Sequence, residues 1–163
     1  QGARRRGPGQ REPVLRAEDV ALRGPRFRGR SRPLQFVEPA PRIRQVLLRV
    51  TPGEPRCVAL LGFSQGPAMA YRTAAHSPVP IAAVVALAGD VPPELASTGR
   101  LETDRILIGR GLDEDLYLAD KLAADRELLE GLGIEPEVFE YDGGHEWTDA
   151  FRERAARFLL ASC

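Results

Sequence analysis

The sequence has few of the residues that indicate a metal site, a disulfide scaffold or a membrane protein. Its only cysteines are Cys57 and Cys163, which provide neither a zinc ligand set nor a disulfide framework. Its longest apolar run, Ile81 to Ala88, is far shorter than the roughly 20 residues that cross a bilayer. No signal-peptide pattern follows Gln1. We therefore expect a soluble, cytoplasmic protein without a membrane span.

The chain also has no net charge, since 23 basic residues balance 23 acidic ones. However, the two parts of the chain carry opposite charges. Residues 1–56 carry 14 arginines and 5 acidic residues, a net charge of +9, and they hold 8 of the 14 prolines. Residues 57–163 carry a net charge of −9. We interpret residues 1–55 as an atypical, Arg/Pro/Gly-rich amino-terminal part of one domain, and residues 56–163 as its core.

Short apolar runs alternate with helical patterns across the core, which is typical of an α/β protein with a parallel sheet. The predicted strands cover residues 57–62, 81–88, 105–109 and 137–141. The predicted helices cover residues 65–76 and 116–132, and a last helix has Trp147, Phe151 and Phe158 on one side. Weaker patterns in the amino-terminal part predict strands over 20–22 and 34–37 and a helix over 42–50.

A candidate catalytic motif lies between the first core strand and the helix that follows it. Gly62-Phe63-Ser64-Gln65-Gly66 matches Gly-x-Ser-x-Gly, which forms the nucleophile elbow of α/β hydrolases in this position. Because the turn is very tight, we expect the positions of Gly62 and Gly66, on either side of the serine, to accept no side chain. Ser64 is therefore the predicted nucleophile, and an ordinary strand-to-helix turn is the alternative.

A serine hydroxyl needs a neighbouring base, and the sequence contains two histidines. His145 follows the last predicted strand through Gly143 and Gly144, so it belongs at the same sheet edge as Ser64. His76 lies at the far end of the helix after Ser64, about 17 Å away at 1.5 Å per residue. We predict that His145 is the base and that His76 has a structural or surface role. A loop histidine that caps the last helix is the alternative for His145.

A carboxylate should orient the base and stabilise its charged form. The run Asp113-Glu114-Asp115 directly follows the third predicted strand, which gives the order serine, acid, histidine of α/β hydrolases. The run alone does not select one of its three acids. Asp90, which follows the second predicted strand, is a further alternative.

Four segments of the core resemble the phospholipase/carboxylesterase family of α/β-hydrolase serine esterases, which includes acyl-protein thioesterases. They are residues 58–66, 106–111, Tyr117 with 121–125, and 143–148. The resemblance covers about residues 56–161 and implies a mainly parallel sheet with helices on both faces and an atypical or truncated amino-terminal part.

The resemblance also implies roles for single residues. It makes Ser64 the nucleophile, His145 the base and the backbone amide of Gln65 an oxyanion donor. It places the acid three residues after Gly111, at Glu114, where the family typically has aspartate. A shift of one residue would substitute Asp113, so both stay candidates.

One family element has no counterpart in the sequence. Relatives carry a His-Gly-x-Gly type stretch whose loop supplies a second oxyanion amide. The triplet Ala17-Glu18-Asp19 resembles the residues that come after this loop in relatives, which puts Arg11 and Glu12 in the place of its His-Gly pair. The source of a second oxyanion donor is therefore open.

We expect a serine hydrolase that cleaves carboxylic esters or thioesters of short to medium acyl chains through an acyl-enzyme, with no cofactor and no metal. Its expected partner is a small-molecule ester and not a nucleic acid. The alternative is a catalytically impaired hydrolase-fold protein that acts by binding. Two further hypotheses concern residues 1–56: an arm that binds polyanions through its +9 charge, or a shifted reading frame, since 22 of the 23 basic residues are arginine.

Overall fold

The computed structural model describes residues 57–163 except residues 78, 99, 100, 102 and 104. The strands predicted over 20–22 and 34–37 and the helix predicted over 42–50 lie outside the described residues. So does the pair Arg11 and Glu12. The division of the chain at residue 55 therefore stays a prediction.

Four strands alternate with four helices in the described residues. The strands are β1 (Ala59–Phe63), β2 (Ala83–Leu87), β3 (Ile106–Gly111) and β4 (Glu137–Tyr141). The helices are α1 (Gly66–His76), α2 (Leu95–Thr98), α3 (Ala119–Gly131) and α4 (Asp149–Ser162). Each predicted core strand is found, with its ends within two residues of the prediction. The short helix α2 was not predicted.

The strands form one parallel sheet in the order β1-β2-β3-β4. Each strand lies beside its neighbour in sequence, so each connection crosses over the sheet and carries a helix. The register sets Gly62 opposite Ala86 and Gly109 opposite Phe139. All four carboxyl ends consequently lie at one edge of the sheet, the edge where Ser64 follows β1. The predicted α/β class with a parallel sheet is confirmed.

The core has two layers, one on each face of the sheet. Along β2, Val84 and Ala86 belong to one apolar cluster, whereas Val85 and Leu87 belong to the other, because successive side chains of a strand point to opposite faces. Residues of α1, α2 and α3 complete the first cluster. Residues of α4 complete the second. Helices therefore cover both faces, as the resemblance implied.

A disulfide joins Cys57, just before β1, to Cys163, just after α4, with the two Cα atoms 5.6 Å apart. This bond corrects the expectation drawn from the cysteine count. The two residues are separated by 106 positions, and only the tertiary fold brings them together. None of the described helices has the length and apolar character needed to cross a membrane.

Candidate active site

Ser64 occupies the tight turn between β1 and α1. Its φ of 60° lies in the left-handed region that non-glycine residues rarely adopt, except where the surrounding structure imposes it. The backbone imposes it here in two ways. The Ser64 amide donates to Leu87 O at 3.0 Å, and a Cβ on Gly62 would overlap the backbone of Gly66 and Pro67. These are the features of a nucleophile elbow.

The second glycine of the motif does not meet the same constraint. A Cβ built on Gly66 has no described atom within 4 Å. The expectation that both glycines must lack side chains is therefore wrong for Gly66. The backbone at Gly62, on the strand side of the turn, comes close to Gly66 and Pro67, whereas no such close approach occurs at the Cβ position of Gly66.

Gln65 follows Ser64 as the residue that caps α1. The first amides of a helix have no partner within the helix and carry its positive dipole end. Pro67 lies in the first turn of α1. It has no backbone N–H, but the helix makes no hydrogen bond from an N–H at that position, so the proline is tolerated. The Gln65 amide thus belongs to a helix N-terminus beside Ser64, which is the position predicted for an oxyanion donor.

The segment after β2 packs directly against the serine turn. A Cβ on Gly89 would overlap the carbonyl oxygen of Ser64 and contact the Pro67 ring. The next residue, Asp90, is exposed, and both its carboxylate oxygens lie 3.2 Å from Lys121 Nζ. No described contact joins Asp90 to His145. The structure thus gives no support to the alternative in which Asp90 is the acid.

His145 contacts one carboxylate of the acidic run. Its Nδ1 lies 3.0 Å from Oε1 and 2.8 Å from Oε2 of Glu114. The Glu114 side chain is fully buried, and that of His145 is 24% exposed. Asp113 is exposed, and its backbone amide donates to Gly143 O at 2.9 Å. Of the two candidate acids, the structure brings Glu114 to the histidine.

Glu114 is held in its ionised form. Burial opposes ionisation, but the amides of Leu116 and Tyr117 donate to Oε1 at 2.9 and 3.3 Å, and His145 adds a third partner. Together these partners outweigh burial and keep the pKa of Glu114 below its usual range. A buried carboxylate in this state fixes which nitrogen of the imidazole carries a proton.

The ring of His145 packs on Phe63, with ring centroids 4.8 Å apart. Phe63 directly precedes Ser64, so this contact sets the imidazole beside the serine turn. Phe63 also lies 6.2 Å from Trp147 between centroids, and Trp147 lies 5.3 Å from Phe151 of α4. The histidine is therefore supported by an aromatic row that sequence analysis did not assign to the site.

The segment that carries His145 is anchored to the ends of β3 and β4. Tyr141 Oη donates to Glu146 O at 2.8 Å, and Leu112 N donates to Tyr141 O at 2.9 Å. A Cβ on Gly111 would overlap the carbonyl oxygen of Gly143. The acid segment (residues 112–117) and the histidine segment (residues 142–148) therefore lie against each other. The other histidine, His76, is exposed at the end of α1.

Several solved structures resemble this chain. Esterase PE8 superposes with a TM-score of 0.64 at 25% identity, covering 75% of this chain and 58% of that protein. Acyl-protein thioesterase 2 of Zea mays gives 0.57 at 19% identity, covering 73% and 62%. The carboxylesterase of Bacillus cereus gives 0.60 at 14% identity, covering 75% and 57%. Neither a protein-family model nor a curated protein matches the sequence.

Fold and neighbours together define the class: this is an α/β-hydrolase fold, of the kind that esterases and thioesterases have. Over part of the chain it is phospholipase/carboxylesterase-like, which confirms the resemblance found in the sequence. The chain spans 57–62% of the length of these three structures.

Proposed function

We propose that this chain is a serine hydrolase that cleaves carboxylic esters or thioesters through an acyl-enzyme. The observation that carries the proposal is the contact of the buried, ionised Glu114 with His145 at the sheet edge where Ser64 occupies a left-handed turn. The aromatic contact between Phe63 and His145 supports it, because it sets the imidazole next to the serine turn.

The proposed reaction follows the serine, histidine and carboxylate scheme. Ser64 Oγ attacks the acyl carbon, and Nε2 of His145 takes the hydroxyl proton and returns it to the leaving alcohol or thiol. Glu114 accepts from Nδ1, which leaves Nε2 to act as the base, and it stabilises the imidazolium that forms. Water, deprotonated by His145, then attacks the acyl-enzyme, releases the acid and restores Ser64.

The oxyanion of each tetrahedral intermediate needs hydrogen-bond donors. The Gln65 amide at the start of α1 is the proposed donor, because the helix dipole adds positive potential there. The loss of one donor costs on the order of 10²–10³ in turnover in other serine hydrolases. The rate of this chain therefore depends on whether a second donor completes the site.

The proposed substrates are small esters or thioesters of short to medium acyl chains. The neighbours support the chemical class, since they include an esterase, a carboxylesterase and an acyl-protein thioesterase. The test is hydrolysis of p-nitrophenyl acetate, butyrate, octanoate and palmitate and of a matching thioester series. We expect turnover of the shorter esters that Ser64→Ala abolishes and His76→Ala leaves within twofold. Activity that survives Ser64→Ala would overturn the proposal.

The second candidate is a hydrolase-fold protein that binds esters without efficient turnover. It is favoured by the missing His-Gly-x-Gly stretch of the family, whose place falls in residues 1–56. A fluorophosphonate probe separates the two candidates. Labelling of Ser64 at the rate of an active esterase favours the hydrolase, whereas slow labelling together with measurable ester binding favours the second candidate.

A further inference from the structure

Tyr117, at the end of the acid segment, uses all of its polar groups to join other elements. Its amide donates to Glu114 Oε1 at 3.3 Å, and its carbonyl oxygen accepts from Arg110 Nε at 3.0 Å. Its hydroxyl donates to Asp125 Oδ2 at 2.9 Å. The side chain is buried, with an exposed fraction of 1%. One residue thus connects the carboxylate that holds His145 with β3 and α3.

Asp125 extends this connection to the serine turn. Its Oδ2 also accepts from the amide of Val91 at 2.8 Å, and Val91 lies two residues after Gly89, whose backbone packs against the Ser64 carbonyl. Asp125 is buried, and its burial raises the pKa of its carboxyl. A buried carboxylate that binds both Tyr117 and Val91 ties the acid segment to the segment beside the nucleophile.

Arg110 fixes the backbone of Tyr117 from the sheet side. It is buried in β3, and its Nη1 lies 2.7 Å from Glu140 Oε1 of β4 while its Nε binds the Tyr117 carbonyl. The planar guanidinium holds both partners in one geometry, which a lysine ammonium cannot reproduce. The carbonyl of Tyr117 is therefore held to the two strands, and its hydroxyl is held to α3.

We propose that Tyr117 is a positioning residue that keeps Glu114 against His145, with Asp125 as its anchor. The proposal rests on the proposed function, since it assigns Tyr117 an effect on turnover that passes through Glu114. Tyr117 itself touches neither His145 nor Ser64 in the described contacts.

A second buried tyrosine provides a matched control. Tyr71 of α1 is fully buried, and its hydroxyl has no hydrogen-bond partner among the described residues. Removal of an unpaired buried hydroxyl is close to neutral, whereas removal of one that binds a buried carboxylate is costly. Tyr71→Phe and Tyr117→Phe thus remove the same group near Asp125, whose charge both hydroxyls sense, but only Tyr117 donates a hydrogen bond to it.

The test is a double-mutant cycle with Glu114→Gln. In the wild-type background we expect Tyr117→Phe to lower kcat about tenfold, the order expected for a lost hydrogen bond to a charged group, with KM within twofold. In the Glu114→Gln background the same change should cost less than twofold. Tyr71→Phe should cost less than twofold in both backgrounds. An equal loss from Tyr117→Phe in both backgrounds, or no loss in either, would overturn the proposal.

A second measurement does not depend on turnover. The low-field proton NMR resonance of the His145 Nδ1–H, bound to Glu114, should broaden or move in Tyr117→Phe and persist unchanged in Tyr71→Phe. If the wild type cleaves no ester, the proposed function fails and this resonance alone decides the positioning role; an unchanged resonance overturns it. If Tyr117→Phe does not fold, Arg110→Lys takes its place with the same expected outcomes.

Discussion

Both carboxylate oxygens of Glu114 lie within 3.0 Å of Nδ1 of His145, and the glutamate side chain is fully buried. The backbone amides of Leu116 and Tyr117 donate to Oε1 of the same carboxylate. The imidazole is therefore held at Nδ1 by a buried carboxylate, and Nε2 is the nitrogen that we propose transfers the proton. This contact favours Glu114 over Asp113 as the proposed acid.

Glu114→Gln should lower kcat by about 10²–10⁴-fold, because an amide favours the wrong imidazole tautomer and gives up the charge that stabilises the imidazolium. Asp113→Asn should stay within about twofold, since the Asp113 side chain is exposed. Steady-state kinetics on a p-nitrophenyl ester measures both variants. A greater loss from Asp113→Asn than from Glu114→Gln would assign the acid to Asp113 instead.

Glu114 should also make stability depend on pH in acid. Its pKa is lower in the folded state than the usual value of about 4.3, so the unfolded chain binds the proton more tightly. The stabilisation is present above that usual value and is lost as the pH falls through the lower, folded-state pKa. Urea unfolding measured between pH 6 and pH 3 should show a smaller acid loss for Glu114→Gln than for the wild type, and equal losses would contradict the assignment.

The two glycines of the serine motif should differ in their tolerance of a methyl group. Gly62→Ala should destabilise by about 1–3 kcal/mol through overpacking and should displace Ser64, because the new Cβ overlaps the backbone of Gly66 and Pro67. Gly66→Ala meets open space and should be nearly neutral. Thermal unfolding and ester hydrolysis of both variants make the comparison. Equal costs for the two would refute the geometry of the turn.

Reduction of the Cys57–Cys163 disulfide should lower the free energy of unfolding by about 2–4 kcal/mol, because the bond closes a long loop in the unfolded chain. Thermal unfolding with and without dithiothreitol measures this change. The double variant Cys57→Ser/Cys163→Ser is the control and should unfold alike in both conditions. A wild type indifferent to reductant would show that the bond contributes nothing to stability.

Much of this architecture is encoded locally. The apolar runs around Val58 and Val84 and the glycines near residues 131 and 143 predict the strands and their turns, and the position of Ser64 between strand and helix predicts its place at the sheet edge. Such signals depend on neighbours in sequence, so they can be recognised without knowledge of the fold.

The rest depends on long-range contacts. Asp113 N donates to Gly143 O, and Tyr117 Oη donates to Asp125 Oδ2. The contact of Glu114 with His145 therefore depends on how two loops pack against each other, which the sequence does not indicate. The disulfide likewise needs the two ends of the core to meet. The contact of Phe63 with His145 joins residues 82 positions apart, and no spacing in the sequence indicates it.

Acylation of Ser64 is the central claim, and trapping of the acyl-enzyme tests it most directly. The protein is mixed with p-nitrophenyl butyrate, quenched in acid within the first turnovers, digested and analysed by mass spectrometry. The predicted result is one butyryl group on the peptide that contains Ser64, absent in Ser64→Ala and slower to form in Glu114→Gln. Ester hydrolysis by the wild type without an acylated Ser64 would contradict the claim.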